Sequence, residues 1–279
     1  MINYNGTLTE NNQLLSIDNR GLAYGDSVFE TLRVVNSNVV FWEDHYFRFM
    51  ASMRIMRMEI PMDFTMEYLE DEILKTIEAN GLQHKPARVK LVVFREGAGL
   101  YTPESNEVRF FISAKELERA VFSTEFDEYR ADIFKDYPIT PGLLSTLKTN
   151  TKVVNVIGGI YAKENELDNC ILLNTNKQVV EALNGNIFLV QGSTIKTPPI
   201  LDGCIKGVMR KQVMDLVRKS EDLTLEEVSI SPFELQRADE LFLTNIIMGI
   251  KPITAYRKKN YKTEVATRLI QELNKKVGI

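Results

Sequence analysis

EALNGNIFLV, residues 181–190, is the stretch on which the reading of this chain turns. Ile187, Phe188, Leu189 and Val190 form an unbroken apolar run of the kind buried in a sheet. Asn184-Gly185-Asn186 in front of it is a tight-turn sequence, and KQVV (177–180) reads as the strand before the turn. Glu181 therefore stands at the mouth of a core. A carboxylate at a strand end is ordinarily a solvated loop residue. Its alternative role is to hold a proton on a bound group, sheltered from water by the apolar strand that follows.

Around this hairpin the composition is that of an ordinary globular protein. The chain has 279 residues, 44% hydrophobic and 26% charged, with a formal net charge of -4. That length accommodates two domains with substantial cores. The slight acidic excess and the lack of a dense basic stripe argue against a nucleic-acid partner. No apolar run approaches the ~20 residues of a membrane span, so no membrane partner is expected. MINYNGTLTE (1–10) carries neither a basic nor an apolar leader region, and no signal peptide is expected. Two cysteines, Cys170 and Cys204, make no disulfide framework and fit a reducing, cytoplasmic setting. Two histidines are too few for a zinc centre, so no metal is expected. GxxxxGK[ST], HExxH and GxSxG are all missing.

The first forty-odd residues read as β structure, with SVFETLRVV (27–35) and NVVFW (38–42) flanking a turn at Asn36-Ser37. Apolar periodicity predicts helices over about 44–58 and 65–80, with Gly81 closing the second. RVKLVVF (88–94) and EVRFFISA (107–114) are strands. These elements make a small N-terminal α+β domain over 1–114, a linker at 115–120, and a larger C-terminal α/β domain over 121–279. In the second half a helix is expected from about 152 to 166, and strands at 170–174, 178–182 and 186–191. A helix beginning near Lys206, a strand ADELFLTN (238–245), a return IMGIKPI (247–253) and a terminal helix over 263–277 complete it.

Four further features carry chemistry. In LLSTLKTNTK (143–152), Lys148 stands between Leu147 and Thr149, ahead of a helix. A lysine held against apolar walls loses solvation and becomes a usable nucleophile towards an aldehyde; a surface lysine is the plain alternative. In LDGCIKGVMRKQV (201–213), Gly207 precedes an apolar-periodic helix, so the N–H groups of Val208 and Met209 would point out of its first turn. Such a helix start binds phosphate without any side chain. Arg48, in EDHYFRF (43–49), has Phe47 and Phe49 beside it; a buried arginine wants an anion, either a ligand or a structural carboxylate. Glu181 is the fourth.

YGDSVFETLR (24–33), EDHYFRF (43–49), Lys148, EALNGNIF (181–188), GVMR (207–210) and LFLTNIIMGIKPI (241–253) occur in an order and spacing that resemble the class-IV aminotransferases, the fold-type-IV pyridoxal-phosphate enzymes. The resemblance covers nearly the whole chain. It implies the two-domain architecture of a D-amino-acid aminotransferase, with the active site between domains, a homodimer, and pyridoxal 5'-phosphate as cofactor. On this resemblance Lys148 would form the Schiff base and shuttle protons, and Glu181 would pair with the pyridine nitrogen. Arg48, the amides of Val208 and Met209, and the turn at Ile246 would hold the phosphate. Tyr24, Lys90, Arg95 and Lys152 are the candidate substrate-binding residues.

Within that family the chain departs from the transaminases and looks more like 4-amino-4-deoxychorismate lyase. Met209 stands where transaminases usually carry Thr, Lys152 where they carry Tyr, and Gly185 where they carry Ser. Lys90 matches a basic position of the lyases. Leu100, in REGAGLYTP (95–103), stands where an arginine for the substrate carboxylates is expected, a place that Lys90 or Arg95 would fill. The expected reaction is therefore the lyase one, yielding p-aminobenzoate and pyruvate in folate synthesis. Transamination of branched-chain or D-amino acids with 2-oxoglutarate is the alternative, and a non-catalytic cofactor-binding protein the minor one. Either enzyme would take a small, amino-acid-like substrate.

Overall fold

Alternation of apolar residues along SVFETLRVV and ARVKLVVFR builds the first of two sheets in a computed structural model of the chain, which describes residues 1–11 and 13–278. The chain folds into two units, one of residues 1–120 with 148–151, the other of 121–147 with 152–279.

The first unit runs β1 (Ile2–Tyr4), β2 (Thr7–Thr9), a single turn α1 (Arg20–Ala23), β3 (Ser27–Val35), β4 (Asn38–Val39), α2 (Trp42–Ile55), α3 (Met66–Ala79), β5 (Ala87–Arg95) and β6 (Val108–Glu116). The sheet order is β2-β1-β6-β5-β3-β4 and its strand pairs are antiparallel. The turn expected at Asn36-Ser37 is present, both residues having positive φ, but the returning strand is short. Phe41 takes a left-handed conformation and α2 starts at Trp42, with Glu43 and Asp44 in the first turn, where a helix favours acids. Thr65 caps α3 by accepting from the Tyr68 N–H. Phe49, Met53, Leu69 and Ile73 from the helices pack with Leu32 and Ile112 of the sheet into one core.

β4 covers only Val34 and Val35 of β3, leaving the Ser27–Phe29 edge open. Residues 148–151 fill it. The Phe29 N–H donates to the Lys148 carbonyl at 2.9 Å, the Asn150 N–H to the Ser27 carbonyl at 3.2 Å, and Val28 pairs with Thr149. Lys148, which sequence reading placed in the second half, is thus carried by the first sheet. The supposed linker also begins later than 115, because Lys115 and Glu116 still pair with Arg88 and Ala87. Buried Arg33 on β3 then grips the carbonyls of Arg119 and Ala120.

The second unit contains β7 (Arg130–Ile139), α4 (Val153–Glu164), β8 (Asn169–Asn174), β9 (Val179–Ala182), β10 (Gly185–Gln191), β11 (Thr194–Thr197), α5 (Val208–Lys219), β12 (Thr224–Glu227), α6 (Pro232–Arg237), β13 (Glu240–Asn245), β14 (Gly249–Ile253), β15 (Ala255–Tyr256), β16 (Lys259–Asn260) and α7 (Glu264–Val277). Its ten-stranded sheet runs β12-β11-β10-β9-β8-β7-β15-β16, with β13 joined to β10 and β14. Three pairs are parallel (β7–β8, β11–β12, β7–β15) and the rest antiparallel. Both sheets being largely antiparallel, the class is α+β. Leu189, Leu241, Leu243 and Ile253 lie in its central core. The first turn of α7 is held from the sheet: buried Glu240 accepts the N–H groups of Val265 and Ala266 at 2.8 and 3.0 Å. No helix among the described residues is long and apolar enough to cross a membrane.

Candidate active site

In the first unit the polar centre starts from Glu30, in the middle of β3 and 1% exposed. Its carboxylate receives Arg48 with both arms, Nε to Oε1 at 2.8 Å and Nη2 to Oε2 at 2.5 Å, and His45 Nδ1 lies 2.8 Å from Oε2. His45 and Arg48 are three residues apart on α2 and so share a face. Burial by itself would raise the Glu30 carboxyl, but the Arg48 guanidinium and the His45 hydrogen bond outweigh it and hold it down at about 2. Burial pushes His45 below its ordinary value, against the pull of Glu30 and with the added repulsion of Arg48 and Lys148. His45 Nε2 is buried with no hydrogen-bond partner among the described residues.

Phe29, next to Glu30, collects two ammonium groups. Lys148 Nζ stands 4.3 Å from its ring centroid and Lys90 Nζ, on β5, 5.0 Å. Burial, then the charge of Arg88, lowers the Lys90 ammonium from its ordinary value. No carboxylate among the described residues pairs with Lys90. Arg95 is placed otherwise than the sequence reading allowed: it is 5% exposed and its donors are consumed. Nε reaches Asp26 at 2.9 Å, Nη1 the Arg57 carbonyl and Asn106, and Nη2 the Met56 carbonyl. Arg95 is a brace for the fold and is not offered to a substrate. Tyr24 is partly exposed, with the Arg20 guanidinium 4.9 Å above its ring and Tyr101 tilted against it at 5.8 Å. Arg20 in turn ties the carbonyls of Gly99 and Leu100, at 3.0 and 2.7 Å, so the loop with exposed Leu100 is fastened through its backbone.

In the second unit Glu181 closes β9 and is 6% exposed. Its Oε2 accepts the Ile205 N–H at 2.9 Å. α5 begins three residues beyond Ile205, with Gly207 as a cap that has no side chain, so nothing covers the first-turn amides of Val208 and Met209 from their own helix start. The side chains of those two residues point into the core, at 5% and 2% exposure, and only their backbone is presented. In the turn after β13, Asn245 Oδ1 accepts the N–H groups of Ile247 and Met248, so Ile246 is the turn residue whose amide that side chain leaves alone. Lys152, at the head of α4, has its ammonium lowered chiefly by burial, with the Glu181 charge pulling the other way.

Sequence reading missed Glu30 and His45. The available signals were an acid in the middle of an otherwise apolar strand, and a His-x-x-Arg spacing on a helix. It also missed Asn186 and Thr244, which pair directly across β10 and β13 and are 5% and 2% exposed. Thr244 Oγ1 is buried without a partner among the described residues. No group of three or more His, Cys, Asp and Glu able to hold a metal occurs among them either.

Comparison with known proteins bears on the family and the fold. The chain is 29% identical over 247 residues to a Methanocaldococcus jannaschii protein assigned as a branched-chain-amino-acid aminotransferase, spanning 88% of this chain and 83% of that one. The branched-chain amino acid aminotransferase of Thermobaculum terrenum in its PLP form superposes with a TM-score of 0.86 at 20% identity, over 99% of this chain and 93% of that one. The 4-amino-4-deoxychorismate lyase of Pseudomonas aeruginosa superposes with a TM-score of 0.81 at 25% identity, over 99% and 98%. These likenesses establish the fold-type-IV architecture, and the family model matches residues 27–256: the chain belongs to the amino-transferase class IV family.

Proposed function

We propose that this protein is a pyridoxal-phosphate enzyme that acts on an amino-acid-like substrate carrying a second carboxylate, and that its reaction is that of 4-amino-4-deoxychorismate lyase. The residues fit the cofactor. A buried carboxylate, Glu181, suits a protonated ring nitrogen. The side-chain-free start of α5, the Ile246 amide and the orphaned Thr244 hydroxyl suit a phosphate. A lysine on an aromatic ring, Lys148, suits the aldehyde. When bound, pyridoxal phosphate supplies an electron sink for the charge left by loss of a proton beside the substrate amino group.

The chain's own part is then to hold and move protons. Lys148 Nζ accepts the substrate proton, and the Phe29 ring keeps that nitrogen partly out of water. Glu181, fixed by the Ile205 amide, holds the ring nitrogen's proton in place. Arg48, aligned by Glu30, adds positive charge beside His45 and Lys148. Lys90 carries the substrate reading: a half-buried cation on the same ring as Lys148, without a carboxylate partner among the described residues, calls for an anion on the substrate.

Transamination is the second reading. The similarity to transaminases favours it, and so does Arg95, whose engagement leaves the lyase substrate one cation fewer. Supplying 4-amino-4-deoxychorismate and following p-aminobenzoate and pyruvate tests the first. Glutamate formation from L-leucine, L-valine or D-alanine with 2-oxoglutarate tests the second, and glutamate without p-aminobenzoate overturns the lyase. Borohydride reduction followed by mass analysis should fix the cofactor to Lys148 in the wild type and to nothing in Lys148→Ala. An adduct on Lys152 would remove Lys148 from its role.

Val153, Val156 and Ile160 form an exposed apolar stripe on α4, which supports a homodimer. Cys170 and Cys204 are free and buried, which supports a reducing, cytoplasmic setting.

A further inference from the structure

We infer that Asn186 is a positioning residue that, through the Ile205 peptide, fixes the direction in which Glu181 and the start of α5 present themselves to the cofactor. The inference rests on the pyridoxal-phosphate reading above. In the sheet, Asn186 is opposite Glu181 of β9 and opposite Thr244 of β13. Residues directly opposite each other in antiparallel strands lie on one face. Glu181, Asn186 and Thr244 therefore form a buried polar row across three strands, with Asn186 in the middle.

The 205–207 segment is fastened to this row at both ends of one peptide residue. Ile205 donates its N–H to Glu181 Oε2 at 2.9 Å, and its carbonyl accepts from Asn186 Nδ2 at 2.8 Å. The Gly207 N–H adds a second donor to the same carbonyl at 2.8 Å. With N–H and C=O both engaged, the backbone at Ile205 cannot turn without breaking a buried hydrogen bond. Glu181 is then held at one oxygen by a backbone that Asn186 holds in place.

The other side of the Asn186 amide sets the helix start. Its orientation is dictated, because only Nδ2 can donate to a carbonyl. Oδ1 consequently faces Gly207, where a Cβ would stand 2.0 Å from it. Gly207 has an ordinary φ of -69°, so its glycine answers this close approach and not a strained backbone. One side chain thus sits against Glu181's backbone partner and against the residue from which the α5 amides emerge.

Asn186→Asp keeps the shape, loses the donor and sets a charge against the Ile205 carbonyl. Gly207→Ala keeps the donor and pushes Oδ1 away. Three readouts serve: cofactor affinity by titration of the apo protein with pyridoxal phosphate, the pH titration of the bound cofactor's visible band, and the melting temperature of the apo form. Both variants should weaken affinity at least tenfold and displace the band's titration in the same sense as Glu181→Gln should. Glu240→Gln, which loosens α7 instead, should lower the melting temperature and leave both cofactor readouts unchanged. Should Asn186→Asp not fold, Gly207→Ala alone decides between the outcomes. Wild-type affinity and band titration in the variants overturn the role of Asn186. A wild-type protein that binds no pyridoxal phosphate overturns the functional reading itself, and the two failures are told apart by that first titration.

Discussion

Arg48 and Glu30 form a two-armed ion pair with each arm on its own carboxylate oxygen, 2.8 Å from Nε to Oε1 and 2.5 Å from Nη2 to Oε2. Glu30 is buried to 2% side-chain exposure and Arg48 to 13%. Such a pair is strongly destabilising to break from one side, because the remaining charge stays buried. Arg48→Ala should therefore cost on the order of 3 kcal/mol in the apo protein, read as a fall in denaturation midpoint. Adding Glu30→Gln to it should recover part of the loss. A double variant no more stable than Arg48→Ala would mean that Glu30 is at ease without its partner.

Acid should unfold the protein along the same pair. Glu30 sits at about 2 in the folded chain against an ordinary 4.5. The unfolded chain then binds the extra proton first, so stability is full above 4.5 and drains away as pH falls towards 2. The contribution at neutral pH is roughly 3 kcal/mol. His45, lowered by burial, works in the same direction below its ordinary 6.5, since the unfolded chain takes its proton first. Denaturation midpoints measured from pH 7 down to pH 2 should fall steadily, and Glu30→Gln should flatten the part of that curve below pH 4.5.

Arg95 should matter to folding and not to substrate. Arg95→Met removes the bonds to Asp26, Asn106 and two carbonyls. Asp26 keeps Arg20 at 3.0 Å, which limits the cost to roughly 2 kcal/mol. The melting temperature should drop while KM stays within about twofold. A large rise in KM at unchanged stability would return Arg95 to the substrate.

Lys90→Met should show the opposite pattern. The stem remains on Phe29 and only the ammonium is lost, so stability and cofactor affinity should hold. KM for a substrate with a second carboxylate should rise tenfold or more, and for one without it should not. Equal effects on both substrates would end the assignment of Lys90 as the carboxylate partner.

Glu181→Gln retains an oxygen for the Ile205 amide and loses only charge. Single-turnover rates should slow at least tenfold, the equivalent of about 1.5–3 kcal/mol for a charge-assisted hydrogen bond. Rates equal to wild type would leave Glu181 with a structural task alone.

The hairpin around Asn184-Gly185-Asn186, the helix after Gly207 and the terminal helix were legible because apolar periodicity and turn residues are local signals. The β7 strand, Arg130–Ile139, was not: only Ala131, Ile133 and Phe134 are buried along it and its far half is largely exposed. The placement of Lys148 was hidden for another reason. Nothing in LKTN announces a strand, and its two backbone hydrogen bonds go to residues some 120 positions earlier. Arg48 and Arg95 read alike in sequence, as arginines beside phenylalanines. What separates their surroundings is Glu30 for the one, and Asp26, Asn106 and the carbonyls of Met56 and Arg57 for the other, and both sets of partners are assembled only by the fold.

The docking of residues 148–151 on β3 bears on how the protein emerges from the ribosome. The strands and helices of the first unit are all synthesised by Glu116, yet the Ser27–Phe29 edge has no partner until Asn150 has left the exit tunnel. In that interval the nascent chain presents an open sheet edge next to a buried acid, an adhesive surface for a neighbouring chain on the same messenger. Translation that stalls once Glu116 has cleared the tunnel but residues 148–151 have not should therefore yield aggregates, and a pause after residue 151 has cleared it should not.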